Sequence, residues 1–372
     1  MSFQVTLLDH HIIPDSRFVH NSKVKVVLGY DQDNYYQNTA EYLNKKFDFI
    51  FLDENPDAML SAAIYLLSQD KKPQFKCLPR DLKEKDFDKL KTGGKKNILI
   101  FNCLKAYFSN FGSVDEIILI NPHESGLQNI SASEIIYKTI KEPTPFMRDL
   151  ASISIILDYT LDEAFETVLE AVNAYPDIFA DILEKIKNLT LNKYNIHDSE
   201  FSILTSMFRA PSILYGIKGV DQLIDYLLKN DSFTLKDMLN GSANETIKYL
   251  KDCSTKYLSI IDDELKFLDE EKKIHGKVMI YTPHFHSENF IREFSNLVKD
   301  RNIDSIVMFK TPTKDNKTKY SVRRGELNVN LGKILSDMGV GGGNPFAAGC
   351  TVDNGEEFEK EFLYKIEKLD LD

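Results

Sequence analysis

At 372 residues, 42% hydrophobic and 28% charged, the chain is long enough for two domains with sizeable cores. Its net charge of −11 excludes a generally basic nucleic-acid binder. The charge is also uneven: residues 277–372 carry 14 Lys+Arg against 15 Asp+Glu, leaving −10 for the first 276 residues. Four cysteines (Cys77, Cys103, Cys253, Cys350) without CxxC spacing argue against a zinc site or a disulfide framework. With no signal peptide and no apolar run near 18 residues, a soluble, cytoplasmic protein is expected.

Residues 1–45 read as an N-terminal extension. It holds a strand-like Phe3–Leu8, then Asp9-His10-His11, then a strand over Lys23–Leu28 that ends in Tyr30-Asp-Gln-Asp-Asn34. The Asp-His-His triplet has no partner ligands, and the Asp31/Asp33 pair gives way to a better-placed acidic stretch at Asp53–Asp57, so neither is expected to hold a metal. Phe47–Leu52 is a continuous apolar run of the kind found in buried parallel strands, followed by Asp53-Glu-Asn-Pro-Asp57 and a small-residue helix over Ser61–Leu67. Further strands are expected at Gln74–Leu78, Asn97–Phe101 and Glu116–Ile120. The last two end in Asn102 and in Asn121-Pro122-His123.

Ser131 with Glu134 forms a capping box that opens a helix, and Phe146–Leu157 predicts another helix leading to Asp158. Thr160 with Glu163 predicts a cap for the next one. Helices are then expected over Asp162–Ala174, Asp177–Leu191 and Gly219–Lys229, with a polar loop through His197. Ser242 with Glu245 opens a long helix whose apolar stripe runs from Ile247 to Leu268, and Gly276 is its expected stop. Strands follow at Lys277–Tyr281, Asp304–Lys310 and Tyr320–Arg323. His284-Phe-His286 lacks the further ligands a metal would need. Phe358–Leu369 closes the chain as a helix.

The most specific stretch is Tyr320-Ser-Val-Arg-Arg324 followed by Gly339-Val-Gly-Gly-Gly-Asn-Pro-Phe-Ala-Ala-Gly349. Three successive glycines leave the backbone uncovered, so it can approach a phosphate or another chain closely. Seven basic residues against two acidic ones lie between Lys310 and Lys333, so any nucleic-acid contact would fall there most economically. This stretch resembles the DHH-associated C-terminal domain of the DHH phosphoesterase superfamily, which includes RecJ. The family pattern is GGGHPxAAG after a strand with one or two arginines. The resemblance implies that Arg323, Arg324, Gly341, Gly342, Gly343 and Asn344 (standing where the family has histidine) grip single-stranded DNA or a nucleotide.

Upstream, Asp53–Leu60 is similar to the family's first metal motif, HxNPDxDG. Asp57 matches the first aspartate, Met59 stands for the second, Leu60 for the glycine, and Asp53 or Asn55 for the histidine. Asn102 stands for the second-strand aspartate. Of the family's Asp-His-His only His123 is kept, and Asp158 matches the last metal aspartate. Family chemistry is phosphodiester hydrolysis by two metal ions. With only Asp57, His123 and Asp158 left as degenerate remnants, the resemblance implies no catalytic residues, no efficient nuclease activity and no resident cofactor; one weak Mn²⁺ or Mg²⁺ is the most such a trio would hold.

The expected fold is therefore α/β: a parallel-sheet DHH-like domain over 1–240 (with the extension 1–45 and a helical region 161–240), a linker helix over 241–275, and a smaller α/β DHH-associated domain over 276–372. A scaffold kept while its ligands are lost resembles the archaeal RecJ-like proteins associated with the replicative helicase. That resemblance implies a non-catalytic DNA replication factor that binds the GINS complex and the MCM helicase, with single-stranded DNA as a further contact. The alternative is an active metal-dependent single-strand exonuclease or nucleotide phosphodiesterase, with Asp31 and Asp33 or Asp9-His10-His11 supplying ligands. A third reading is a repair accessory that binds single strands through Arg323, Arg324 and the glycine turn.

Overall fold

The computed structural model describes residues 24–26, 32–78, 97–102, 116–122, 127, 130–158, 160–230, 233–240, 244–285, 287–313 and 315–369. The expectations for Phe3–Leu8, Asp9, His10, His11, Asp31, Cys103, His123 and His286 lie outside those residues. The chain divides into two compact units, 1–183 with 215–250, and 184–214 with 251–372. Residues 184–214 thus group with the C-terminal part of the chain.

The first unit is built on a five-stranded sheet in the order β1-β5-β4-β2-β3, all parallel: β1 (Val24–Val26), β2 (Phe49–Asp53), β3 (Gln74–Leu78), β4 (Asn97–Phe101) and β5 (Glu116–Ile120). β2, β4 and β5 are buried at every residue but the first, the pattern of strands covered on both faces. Around the sheet lie α1 (Gln32–Leu43), α2 (Pro56–Leu67), α3 (Ala132–Thr139), α4 (Pro145–Asp158), α5 (Leu161–Ala174) and α9 (Ile217–Lys229), with the short α10 (Leu235–Asn240). The α2 helix starts earlier than the small-residue run suggests, because Asn55 caps it by accepting from the Ala58 N–H at 2.7 Å and Pro56 occupies its first turn. Ser131 caps α3, accepting from the Glu134 N–H. Thr160 makes no side-chain cap to α5, contrary to its sequence signature.

The helix expected over Asp177–Leu191 shrinks to α6 (Leu183–Lys187), and Leu189 then takes a left-handed φ of 54°. A helix arises instead where a polar loop was expected, α7 (Lys193–His197), and α8 (Phe201–Tyr215), with Pro211 inside it, follows within the region expected to be helical. The long helix is α11 (Glu245–Glu271), and it ends before Gly276. Lys273–His275 form strand β6, and Gly276, at φ 56°, makes the hairpin turn to β7 (Val278–Tyr281).

The second unit carries a six-stranded mixed sheet in the order β10-β11-β9-β8-β7-β6, with β8 (Ile306–Pro312), β9 (Thr318–Arg324), β10 (Gly341–Gly343) and β11 (Ala347–Val352). Only β7 and β8 pair parallel. The α12 helix (Glu288–Arg301) packs against β8 and β9. Tyr320 and Val322 of β9 enter an apolar core with Leu331 and Leu335 of α13 (Leu331–Asp337) and Phe358 and Phe362 of α14 (Gly355–Glu367).

Candidate functional site

Asp57 lies in the first turn of α2, just beyond the carboxyl end of β2, and is 2% exposed. Five donors converge on its carboxylate. Asn102 Nδ2, from the end of β4, donates to Oδ2 at 2.6 Å, and the Ala132 N–H donates to the same oxygen at 2.9 Å. The Ser131 hydroxyl (2.7 Å), the Ser154 hydroxyl (2.9 Å) and the Ser133 N–H (3.0 Å) donate to Oδ1. Two of the five are free N–H groups in the first turn of α3, whose dipole favours an anion there.

The backbone brings these donors together for identifiable reasons. Asn102 adopts φ 51° and donates its N–H to the Ile120 carbonyl, which turns its amide across the strand ends. Ser154 is fully buried on α4, a helix packed against α2 and α3. Asp53 is also buried. Its carboxylate accepts from the Asn55 N–H at 3.1 Å and so helps position the residue that caps α2.

This donor set does not fit a divalent cation. Both Asp57 oxygens face N–H and O–H groups, which repel a cation and occupy the lone pairs that would bind it. Met59 and Leu60, at the family's aspartate and glycine positions, are wholly buried in the core. Asn102 keeps one buried oxygen, Oδ1, without a partner; one neutral amide oxygen offsets little of the desolvation of a doubly charged ion. Asp158 ends α4, half-buried, and is not among the groups bonded to Asp57. Among the described residues no three His, Cys, Asp or Glu side chains gather as a metal would require. Asp33 is exposed on α1.

The second candidate surface is the β9–β11 region. Strand alternation sends its two arginines to opposite faces of the sheet. Arg323 faces the α12 side, donates to the Val322 carbonyl at 2.9 Å, and has its guanidinium pushed down to about 10 by burial, with Glu293 opposing. Arg324 donates to the Pro345 carbonyl at 3.1 Å and to the Leu327 carbonyl, and its guanidinium lies 4.3 Å from the Phe346 ring centroid. Phe346 itself is 59% exposed.

The glycine run forms strand β10 rather than an open loop. A Cβ on Gly341 would stand 2.3 Å from the Gly349 carbonyl oxygen, and one on Gly343, at φ 153°, 2.3 Å from that of Ala347. Only Gly342 faces open space. Asn344 closes the hairpin by accepting from the Phe346 and Ala347 N–H groups at 2.9 and 2.8 Å. Two of the three glycines are thus required by packing within the hairpin, and the Asn344 side-chain oxygen is committed to it.

Residues 275–369 match the DHHA1 domain family. No curated protein matches the chain. Among solved structures, the pGpG-specific phosphodiesterase PggH from Vibrio cholerae aligns with a TM-score of 0.55 at 13% identity, over 87% of this chain and 99% of that one. An exonuclease RecJ bound to manganese gives 0.56 at 12%, over 90% and 95%. RecJ from Thermus thermophilus, in complex with Mg²⁺, gives 0.52 at 12%, over 90% of this chain and 53% of its own. The chain has the RecJ-like DHH fold, with a DHHA1 domain at its C-terminal end.

Proposed function

We propose that this chain is a non-catalytic member of the RecJ-like group, a DNA replication factor that serves as a protein scaffold. The observation that carries this reading is the Asp57 carboxylate, whose two oxygens accept five hydrogen bonds. Hydrolysis by two metal ions needs carboxylate oxygens directed at the ions, so that a bound water loses its proton near neutral pH. Here the same position joins α2, α3, α4 and the end of β4 to one another. The partners proposed for it are the GINS complex and the MCM helicase, taken from the resemblance of a ligand-depleted RecJ-like chain to the helicase-associated ones. The −10 net charge of the first 276 residues favours protein partners over a DNA sheath.

Single-stranded DNA is proposed as a secondary contact at the exposed Phe346 ring and Arg324, where a base can stack. The test has two arms. Purified chain incubated with 5′-labelled single-stranded DNA or RNA and Mn²⁺ or Mg²⁺ is expected to leave the substrate intact. Immobilised chain is expected to retain purified GINS and MCM subunits. Cleavage that is lost in Asp57→Asn favours the alternative reading, a DHH-type exonuclease or nucleotide phosphodiesterase, which the likeness to the PggH and RecJ folds supports.

A further inference from the structure

The ring of Phe346 is exposed, yet its position is fixed. Its N–H donates to Asn344 Oδ1 at 2.9 Å, and its carbonyl accepts from the Arg324 N–H at 3.1 Å. The Arg324 guanidinium lies against the ring, 4.3 Å from its centroid. Arg324 is held in turn. Its Nε donates to the Pro345 carbonyl at 3.1 Å, and its Nη1 to the Gly325 carbonyl at 3.3 Å and to the Leu327 carbonyl. A guanidinium grips a phosphate through Nη2 together with either Nε or Nη1. With both of those turned back onto nearby backbone, Arg324 keeps neither two-pronged edge whole.

The rest of the basic stretch is largely answered within the second unit. Lys310 faces Glu359 at 3.0 Å, Lys317 faces Asp353 at 3.0 Å, and Lys319 pairs with Glu288. Arg323 lies on the opposite face of the sheet, where burial pushes its guanidinium down to about 10. Lys333 is the remaining described cation of the stretch. The positive charge expected to hold phosphates is therefore mostly matched already. What the hairpin does offer is a flat ring held in one place, which stacks on a base with little loss of side-chain freedom. In the same hairpin, Gly342 has open space where a side chain would stand, so a flat ligand can lie close to the backbone.

We propose that Phe346 is a stacking platform for one unpaired nucleobase, positioned by Arg324, and that it takes the base without a grip on the phosphate backbone. This rests on the reading of single-stranded DNA as a secondary contact and narrows that contact to the base. A duplex, whose base faces are covered by their neighbours, is not a ligand.

The test is fluorescence anisotropy of the full chain with three labelled probes: an oligo-dA strand, an abasic strand of equal length and charge, and the dA·dT duplex. The dA strand is expected to bind about tenfold or more tightly than the other two. Its affinity should fall with salt at a log–log slope no steeper than about −1.4, equivalent to about two phosphates. Phe346→Ala should lose about tenfold in affinity and Phe346→Tyr should retain it. The ring is 59% exposed, so both variants are expected to fold, and their melting temperatures check this. Arg324→Ala should weaken the dA strand about threefold with the slope unchanged. A phosphate ligand at that position would instead flatten the slope by about 0.7. Equal binding of the dA and abasic strands, a steeper slope in wild type, or a flattened one in Arg324→Ala would overturn the platform while leaving the DNA contact standing. No binding of any strand would remove the DNA contact and the platform with it. Unchanged strand binding in Phe346→Ala, with retention of GINS or MCM lost, would assign the ring to a protein partner instead.

Discussion

Asp57 in the first unit and Glu293 in the second are both buried carboxylates at the centre of hydrogen-bonded clusters, yet their partners differ in kind. Asp57 is held by neutral donors: an amide, two hydroxyls and two backbone N–H groups. Glu293 is held by the Lys193 ammonium and the Arg209 guanidinium, with Arg292 Nε 4.0 Å from its other oxygen. A single negative charge spread over five dipoles, two of them at a helix N-terminus, leaves no demand for a cation. Around Glu293 the negative charge is instead met by groups that carry the opposite charge, and the pairing offsets their burial. The comparison separates two ways of satisfying a buried carboxylate: neutral dipoles that donate to it, and groups that carry the opposite charge.

The sharpest way to break this contrast is to remove each carboxylate. Asp57→Ala strands five donors and is expected to cost about 4 kcal/mol in urea unfolding, with an unchanged m-value. A loss below about 1 kcal/mol would mean that the cluster is rehydrated and that Asp57 is not the tie between its four elements. Glu293→Ala removes the carboxylate that Lys193 and Arg209 share and is expected to cost about 3 kcal/mol in urea unfolding; a loss below about 0.5 kcal/mol would mean that the other partners of these two side chains hold them without it. Within the glycine hairpin, Gly343→Ala should destabilise by about 1–3 kcal/mol, because its Cβ meets backbone at a left-handed φ, while Gly342→Ala should stay within about 0.5 kcal/mol. Equal effects at the two positions would contradict the packing account and point to an external ligand as the reason for the run.

The smallest effect concerns pH. Burial lowers the His197 pKa against the pull of Asp262. The unfolded chain therefore binds a proton below about pH 6.5 that the folded chain does not yet bind, so stability falls as pH drops from about 6.5 toward the folded pKa. Unfolding at stepped pH should show this slope in wild type and its loss in His197→Gln. An unchanged slope assigns the titration elsewhere.

Two strands of the first unit, Asn97–Phe101 and Glu116–Ile120, were legible in the sequence because a strand buried on both faces is a nearly uninterrupted apolar run; Gln74–Leu78, an edge strand exposed at Gln74 and Lys76, keeps its expected bounds without such a run. Asp57 and Asn102 were also visible as strand-end residues. That they bond to each other was not, because the partners of Asp57 are 45 to 97 positions away and meet only through the fold. The α7 helix was missed because the residues around His197 are polar, and α8 lay in the helical region without being assigned as a helix of its own. With it went the Lys193–Arg209–Glu293 cluster. The glycine run was recognised, but its strand character depends on contacts with Gly349 and Ala347 across the hairpin, and with Gly332 of α13.

The central claim is that the five donors around Asp57 replace metal binding at the strand ends. The most direct measurement is Mn²⁺ titration by calorimetry on the purified chain, with cleavage of 5′-labelled single-stranded DNA followed in the same sample. The account predicts no saturable Mn²⁺ heat at the strand ends and no cleavage, in wild type and in Asp57→Asn alike. Stoichiometric Mn²⁺ binding with turnover, both abolished by Asp57→Asn, would contradict it.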